Sequence, residues 1–254
     1  MRSSVRQENR FESLVRAPAS ARNEVAEGLY DQHYGNNRLH KATQFPAKRR
    51  IKRIALFRAI IGRGHEAILE MGCGFGDLTY ALVDCAERVV GTDISSKAVE
   101  LAVKRKELWP LLGEQIMKVE FKPMSAIHLE FSDGVFDWTV STSMIEHLHP
   151  EDVETHLREV WRVLKPGGHY LFWCPNGLGH HGDRDQHLTM LSYAEWTDKL
   201  RAIGFRRFRT TLTSCPPVVD ARWKIFTETV LSRLRIKILW SHLGVRNVLL
   251  VAMK

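Results

Sequence analysis

Cysteine is scarce in this chain. Its four cysteines, Cys73, Cys85, Cys174 and Cys215, stand far apart in 254 residues and form no C-x-x-C pair. That spacing argues against a disulfide framework and against a cysteine zinc site. Reduced thiols in the cytoplasm are the expectation. No apolar run approaches the roughly 20 residues that span a bilayer. No internal repeat or low-complexity tract is present, which sets repeat architectures aside. The first residues carry Arg2, Arg6, Glu8 and Arg10 and no apolar core, so a secretory signal is not expected.

What is present suits one α/β domain with additions. Hydrophobic residues make up 44% and charged residues 26%, ordinary values for a globular chain. The net charge of +8 and the isoelectric point near 9.5 are basic. Such a balance favours acidic partners: nucleic acid, an anionic membrane surface or a phosphorylated substrate. A generally basic surface with no specific partner is the plainer alternative.

Residues 1–24 are polar and arginine-rich, and predict a flexible basic tail. Residues 25–254 predict a single domain. It begins with helices over 25–62, the second of them strongly basic after Pro46. Strand then alternates with helix. Apolar runs end at Met71 and Asp93, and further strands are predicted at Val119–Phe121, Phe136–Ser141, His169–Cys174, Phe205–Thr213 and Val248–Met253. Helices are predicted after Ser95, which reads as an N-cap, over Asp152–Leu164 and over Tyr193–Ile203. Residues 215–246 are too long for a simple connection and predict a helical insertion before the last strand. Strand–helix alternation argues for a parallel, doubly wound sheet.

The stretch Glu70-Met71-Gly72-Cys73-Gly74-Phe75-Gly76 puts glycine at every second position after an acidic strand end. Glycines there permit a tight turn and let a ligand approach the main chain. The second strand ends in Asp93, whose carboxylate can accept hydrogen bonds from two ribose hydroxyls. Together they describe a nucleoside site. The spacing differs from the G-x-G-x-x-G of dinucleotide folds, and no phosphate-binding lysine follows.

The E-x-G-x-G-x-G pattern resembles the first motif of class I S-adenosylmethionine-dependent methyltransferases, the UbiE/UbiG-type small-molecule group among them. The resemblance extends from about Glu66 to Phe205. Phe136-Asp137 resembles the family's F-D-x-V, and Ser143 to Leu148 resembles the stretch lining the methionine end of the cofactor. Arg162 to Gly168 resembles R-x-L-K-P-G-G. Glu195 to Phe205 resembles E-x-x-x-x-L-x-x-x-G-F. The fold so implied is a seven-stranded, mostly parallel, doubly wound Rossmann-like sheet with an antiparallel last strand, an N-terminal helical lid and the helical insertion. The implied cofactor is S-adenosyl-L-methionine.

The resemblance also implies roles. Glu70 supports the glycine loop and the cofactor's amino group. Gly72, Cys73 and Gly74 contact the aminoacyl part through the backbone, with Gly76 completing the turn. Asp93 holds the ribose and Ile94 lies against the adenine. Ser125 and Ala126 stand where the family reads the adenine edge, although serine replaces the usual acid and brings no charge. Thr142 or Ser143 contacts the methionine carboxylate end through the main chain. Tyr30 and Tyr34 resemble the Y-x-x-x-Y of N-terminal lids.

A methyl on a sulfonium is already activated, so a base is needed only where the acceptor must lose a proton. His147, His181 and His187 are the candidate bases. Asp183, Asp185 and His187 have the residue types of a hard cation site, but alternating charges in a glycine-flanked loop also occur simply solvated, and no metal is predicted. The expected activity is methyl transfer to an oxygen of a small-molecule, lipid-linked or saccharide acceptor. Nucleic acid is the alternative acceptor, and a nicotinamide oxidoreductase a further alternative. The expected location is the cytoplasm, with peripheral contact to the inner membrane face through basic amphipathic helices.

Overall fold

The computed structural model describes residues 11–35, 48–108, 114–115, 117–177, 187–213 and 247–254. Seven strands form one sheet: β1 His65–Met71, β2 Ala86–Asp93, β3 Val119–Pro123, β4 Phe136–Thr142, β5 Leu164–Pro175, β6 Arg206–Thr213 and β7 Asn247–Met253. Their order is β3-β2-β1-β4-β5-β7-β6. β3 to β5 pair in parallel through β2, β1 and β4, whereas β7 runs antiparallel to both β5 and β6. The expected sheet and its reversed last strand are therefore present.

The helices are α1 Glu12–Arg16, α2 Arg22–Gly35, α3 Lys48–Ile61, α4 Asp77–Ala81, α5 Ser96–Lys104, α6 Val153–Val163 and α7 Tyr193–Ile203. Alternation along β1 explains why both sheet faces are covered. Ile68 joins Phe57 and Ile61 of α3 and Leu78 and Leu82 around α4 on one face. Ala67, Leu69 and Met71 join Leu157, Val160, Trp196 and Leu200 of α6 and α7 on the other. A strand buried on both faces reads as a near-continuous apolar run, as this one does.

Two of the family-like motifs are splices in this sheet. Asp137 accepts from the amides of Glu66 and Ala67, both at 2.9 Å, and takes Lys165 at 3.0 Å. It therefore ties the start of β1 to β4 and β5. Arg162 donates to the carbonyls of Leu129 and Phe131 and pairs with Asp133 and Glu159. The Lys165-Pro166-Gly167-Gly168 turn does not merely end α6. It lies inside the β5 span, where Phe136 pairs with Leu164 and the register then shifts to Trp138 with His169.

The N-terminal expectation needs correcting. The loose tail does not extend to residue 24: Phe11 and Leu14 are 2% and 3% exposed, and α2 already begins at Arg22. Apolar side chains in this short stretch find the cavity described below, and burying them holds the segment. Arg22, itself buried, pairs with Glu151 and with Asp152 at 2.8 Å. The expected insertion over 215–246 lies outside the described residues.

Candidate active site

The carboxyl ends of β1, β2 and β4 converge on the glycine loop. Gly72 and Gly74 have φ of +68° and +54°, a region that side chains avoid. A Cβ at Gly72 would meet Met144 Cγ at 2.5 Å, and one at Gly74 would meet the Tyr34 hydroxyl at 2.9 Å. Bare main chain is therefore required at both positions. Gly76 lies behind them, against the Phe121 ring.

Asp93 fastens this loop to β2. Its Oδ2 accepts from the Gly74 amide at 2.9 Å and its Oδ1 from the Ser95 amide at 3.0 Å. A carboxylate has about four lone-pair sites, so acceptor capacity remains for a diol. Burial raises the Asp93 pKa, and the Ser95 and Gly74 amides oppose that rise. Ser95 caps α5, accepting from the Ala98 amide at 3.0 Å. Asp31 of α2 then accepts from the Ser95 hydroxyl at 2.5 Å and the Lys97 amide at 3.0 Å. Arg22 and Asp31 thus pin α2 at both ends above the strand tips.

Two cavities meet here, sharing Tyr34, Gly72 and Ser143 in their walls. The smaller, about 120 Å³, is polar. Glu70, Cys73, Gly74, Thr142, Arg50 and Arg53 line it. Glu70 is buried, accepts from the Thr79 hydroxyl at 2.5 Å, and is pushed up to about 8 by its burial. The Cys73 thiol is held above its usual range by burial, and its amide donates to the Thr92 carbonyl at 2.9 Å. Cys73 therefore packs and shapes the loop. Ser143 has φ of +54°, and its amide is taken by the Trp173 carbonyl at 2.9 Å. The Cys73, Gly74 and Ser143 amides, expected to face the ligand, thus all donate within the protein.

The larger cavity, about 270 Å³, is lined by Asp93, Ile94, Ser125 and Ala126 together with Phe11, Leu14, Tyr30, Met124 and His147. The Ser125 hydroxyl donates to Asn23 Oδ1 of α2 at 2.9 Å. The Ala126 carbonyl accepts from His156 Nδ1 at 2.8 Å, while His156 Nε2 meets the Tyr170 hydroxyl at 3.0 Å and Tyr170 meets Ser141 at 2.9 Å. Burial pushes His156 down to about 4, so it is neutral here and carries its proton on Nδ1. This buried chain fixes the segment after β3 to the body of the sheet.

Of the candidate bases, His147 and His187 are brought together, with ring centroids 5.2 Å apart. Phe11 stacks on His147 at 6.5 Å and Tyr30 meets it edge-on at 6.1 Å. His181 lies outside the described residues, as do Asp183 and Asp185. Tyr34 of the Y-x-x-x-Y pair lies edge-on to Phe75, with centroids 5.3 Å apart, above the glycine loop.

Sequence reading did not single out Arg50, Arg53 or Asn23 as site residues. Arg50 pairs with Asp77 at 2.5 Å, Arg53 lies 5.2 Å from the Trp173 ring centroid, and Arg58 pairs with Asp84 at 2.6 Å. Three arginines of the basic helix thus have partners in the domain, although the Arg50 and Arg58 side chains stay 43% and 38% exposed.

Residues 69–172 match the family described as "Methyltransferase domain". The chain is 31% identical over 143 residues to a demethylmenaquinone methyltransferase of Lactobacillus johnsonii, covering 55% of this chain and 53% of that protein. It is 31% identical over 118 residues to a ubiquinone/menaquinone biosynthesis C-methyltransferase of Zymomonas mobilis, covering 46% and 45%. The chain spans about half the length of these curated relatives. A solved SAM-dependent methyltransferase from Archaeoglobus fulgidus shares the fold, with a TM-score of 0.59 at 17% identity over 89% of this chain and 99% of that one. With the glycine loop, the strand-tip acid and the seven-stranded sheet all in place, residues 69–172 are similar to a methyltransferase domain, and the chain shares the fold of solved S-adenosylmethionine-dependent methyltransferases.

Proposed function

We propose that this chain transfers the methyl group of S-adenosylmethionine to a hydroxyl oxygen of a small-molecule acceptor, lipid-linked or saccharide acceptors included. One observation carries the reading: a polar lobe around Glu70 and the glycine loop meets, at Gly72 and Ser143, a larger lobe walled by Phe11, Tyr30 and His147. The residues fit the cofactor in parts. Asp93 has spare acceptor capacity for the ribose, Ile94 and Ala126 offer apolar contact to adenine, and Arg50 and Arg53 face the end where a carboxylate would lie. When bound, the cofactor supplies a methyl group on a sulfonium.

The chain's own residues supply position and dryness. Pinning α2 across the strand tips closes the larger lobe, which would hold the adenosine along Asp93, Ile94 and Ala126 and the acceptor beside Leu14, Tyr30 and His147. Holding two reactants in line accounts for roughly 7–11 kcal/mol of a barrier in favourable cases. The acceptor's proton has to leave, and the paired imidazoles of His147 and His187 mark where that happens. His181 belongs to the same proposal. A cytoplasmic setting with peripheral membrane contact also remains a proposal. The pairing of Arg50 with Asp77 and of Arg58 with Asp84 weakens the part of it resting on α3.

Methylation at carbon is the second reading, favoured by the relative named a C-methyltransferase. A phenol-type acceptor would serve either outcome, because its ionised form is nucleophilic at oxygen and at ring carbon. The test uses the full chain, cofactor labelled with carbon-13 in the methyl group, and a panel of phenols, quinols and sugars. Carbon NMR of the product distinguishes an O-methyl from a C-methyl. His147→Ala and His187→Ala are expected to lower turnover at least tenfold. Full activity in both, or no methylated product from any member of the panel, contradicts the proposal.

A further inference from the structure

Glu146, His147 and His187 place three ligating atoms within 4.8 Å of one another. Glu146 and His147 are neighbours in the short 3-10 turn Ile145–His147 that follows β4. His187 comes from the segment before α7. Two hydrogen bonds tie that segment to the turn: the Thr189 amide donates to the Glu146 carbonyl at 3.0 Å, and its hydroxyl to the Leu148 carbonyl at 2.8 Å. His187 is therefore held opposite His147 by structure rather than by chance approach.

Glu146 supplies the second, independent observation. Its side chain is 1% exposed, and its buried Oε2 has no hydrogen-bond partner among the described residues. A buried carboxylate oxygen without a donor is costly, and such groups in native proteins are paired or coordinate a metal. Hydrophobic packing does not explain an acid kept at this position beside two imidazoles.

We propose that Glu146, His147 and His187 bind a divalent transition-metal ion at the wall of the acceptor cavity. Two imidazoles and one carboxylate form a three-ligand set that leaves a position open, as catalytic zinc sites do. Imidazole donors favour zinc or iron over magnesium. Ligands about 2.0–2.2 Å from one tetrahedral ion stand about 3.3–3.6 Å apart. From the observed limit of 4.8 Å, side-chain movements that shorten the separations by roughly 1.2–1.5 Å bring the set to that distance. Of the residues Asp183, Asp185 and His187 whose types suit a hard cation, only His187 belongs to this set.

The site deepens the proposed function and rests on it only for the acceptor. A hydroxyl bound at the open position loses its proton to solvent water as the O–H bond breaks. The oxygen lone pair then forms the bond to the methyl carbon. The carbon–sulfur bond breaks, and sulfur keeps that electron pair as a neutral thioether. His147 and His187 act in this scheme as ligands, which replaces the proton-accepting role given to their imidazoles in the proposed function.

The test is a titration of the metal-stripped full chain with Zn²⁺, read by competition with a chromophoric chelator, with Mg²⁺ in parallel. One tightly bound zinc per chain is expected, and no comparable magnesium. Glu146→Gln and His187→Ala should each weaken zinc binding at least tenfold while S-adenosylhomocysteine affinity is retained. His187→Ala provides the reading should Glu146→Gln fail to fold, with circular dichroism as the check. Asp93→Ala should lose S-adenosylhomocysteine and keep zinc. Failure of the methyl-donor reading therefore leaves the metal result standing. Absence of stoichiometric zinc, or unchanged zinc affinity in the folded variants, overturns the site.

Discussion

The amide of Gly74 donates to the Asp93 carboxylate at 2.9 Å, so the glycine loop and the acid at the tip of β2 are one unit. Anything that moves the loop moves the carboxylate proposed to bind the ribose with it. Gly74→Ala tests this coupling. The variant forces a side chain into φ of +54° and against the Tyr34 hydroxyl. A left-handed conformation costs a non-glycine residue about 1–2 kcal/mol. We expect that loss in denaturant unfolding, together with at least tenfold weaker S-adenosylhomocysteine binding by calorimetry. Unchanged binding in a destabilised variant would show that loop and site are independent.

Arg53 lines the polar lobe and donates to the Ser143 hydroxyl at 3.4 Å. A charge-assisted hydrogen bond to a ligand carboxylate contributes about 1.5–3 kcal/mol. Arg53→Ala is therefore expected to weaken S-adenosylhomocysteine at least tenfold. Methylthioadenosine, which lacks the amino-acid carboxylate, should bind wild type and variant alike. Equal losses for both ligands would assign Arg53 to packing instead.

His156 sets a pH dependence of stability. Burial depresses its pKa to about 4 from the ordinary 6.5, so the unfolded chain binds this proton more readily than the folded one. Stability from this group is therefore fully present above pH 6.5 and is lost as pH falls from 6.5 toward 4. A shift of this size corresponds to on the order of 3 kcal/mol. His156→Asn keeps a donor near the Ala126 carbonyl but cannot titrate. Its stability relative to wild type should improve steadily as pH is lowered through that window. A constant difference across the window would contradict the assignment.

Much of this was legible in the sequence because main-chain requirements leave side-chain signatures. Glycines at Gly72 and Gly74 and an acid at Asp93 are demanded by geometry at strand ends, and the structure uses them so. The α7 span Tyr193–Ile203 was legible in full, since Ser192 and Glu195 form a capping box at one end and Gly204 ends it at the other. Less legible was the N-terminal segment. Phe11 and Leu14 are too few and too isolated to show a period, and only the cavity they fill explains their burial. The pairing of His147 with His187 was equally hidden, because forty residues separate them and the bonds from Thr189 bring them together. Arg22 and Asp31 pin α2 through contacts that no local pattern announces.

The central claim is that Asp93 and the glycine loop form a nucleoside pocket for the methyl donor. Isothermal calorimetry of S-adenosylhomocysteine against the full chain and against Asp93→Ala tests it most directly, with NAD as the comparison ligand. Losing two hydrogen bonds to a charged acceptor predicts about a hundredfold weaker binding in the variant, or more. The wild type should bind S-adenosylhomocysteine and ignore NAD. Equal affinity in wild type and a folded Asp93→Ala, or binding of NAD alone, would contradict the account.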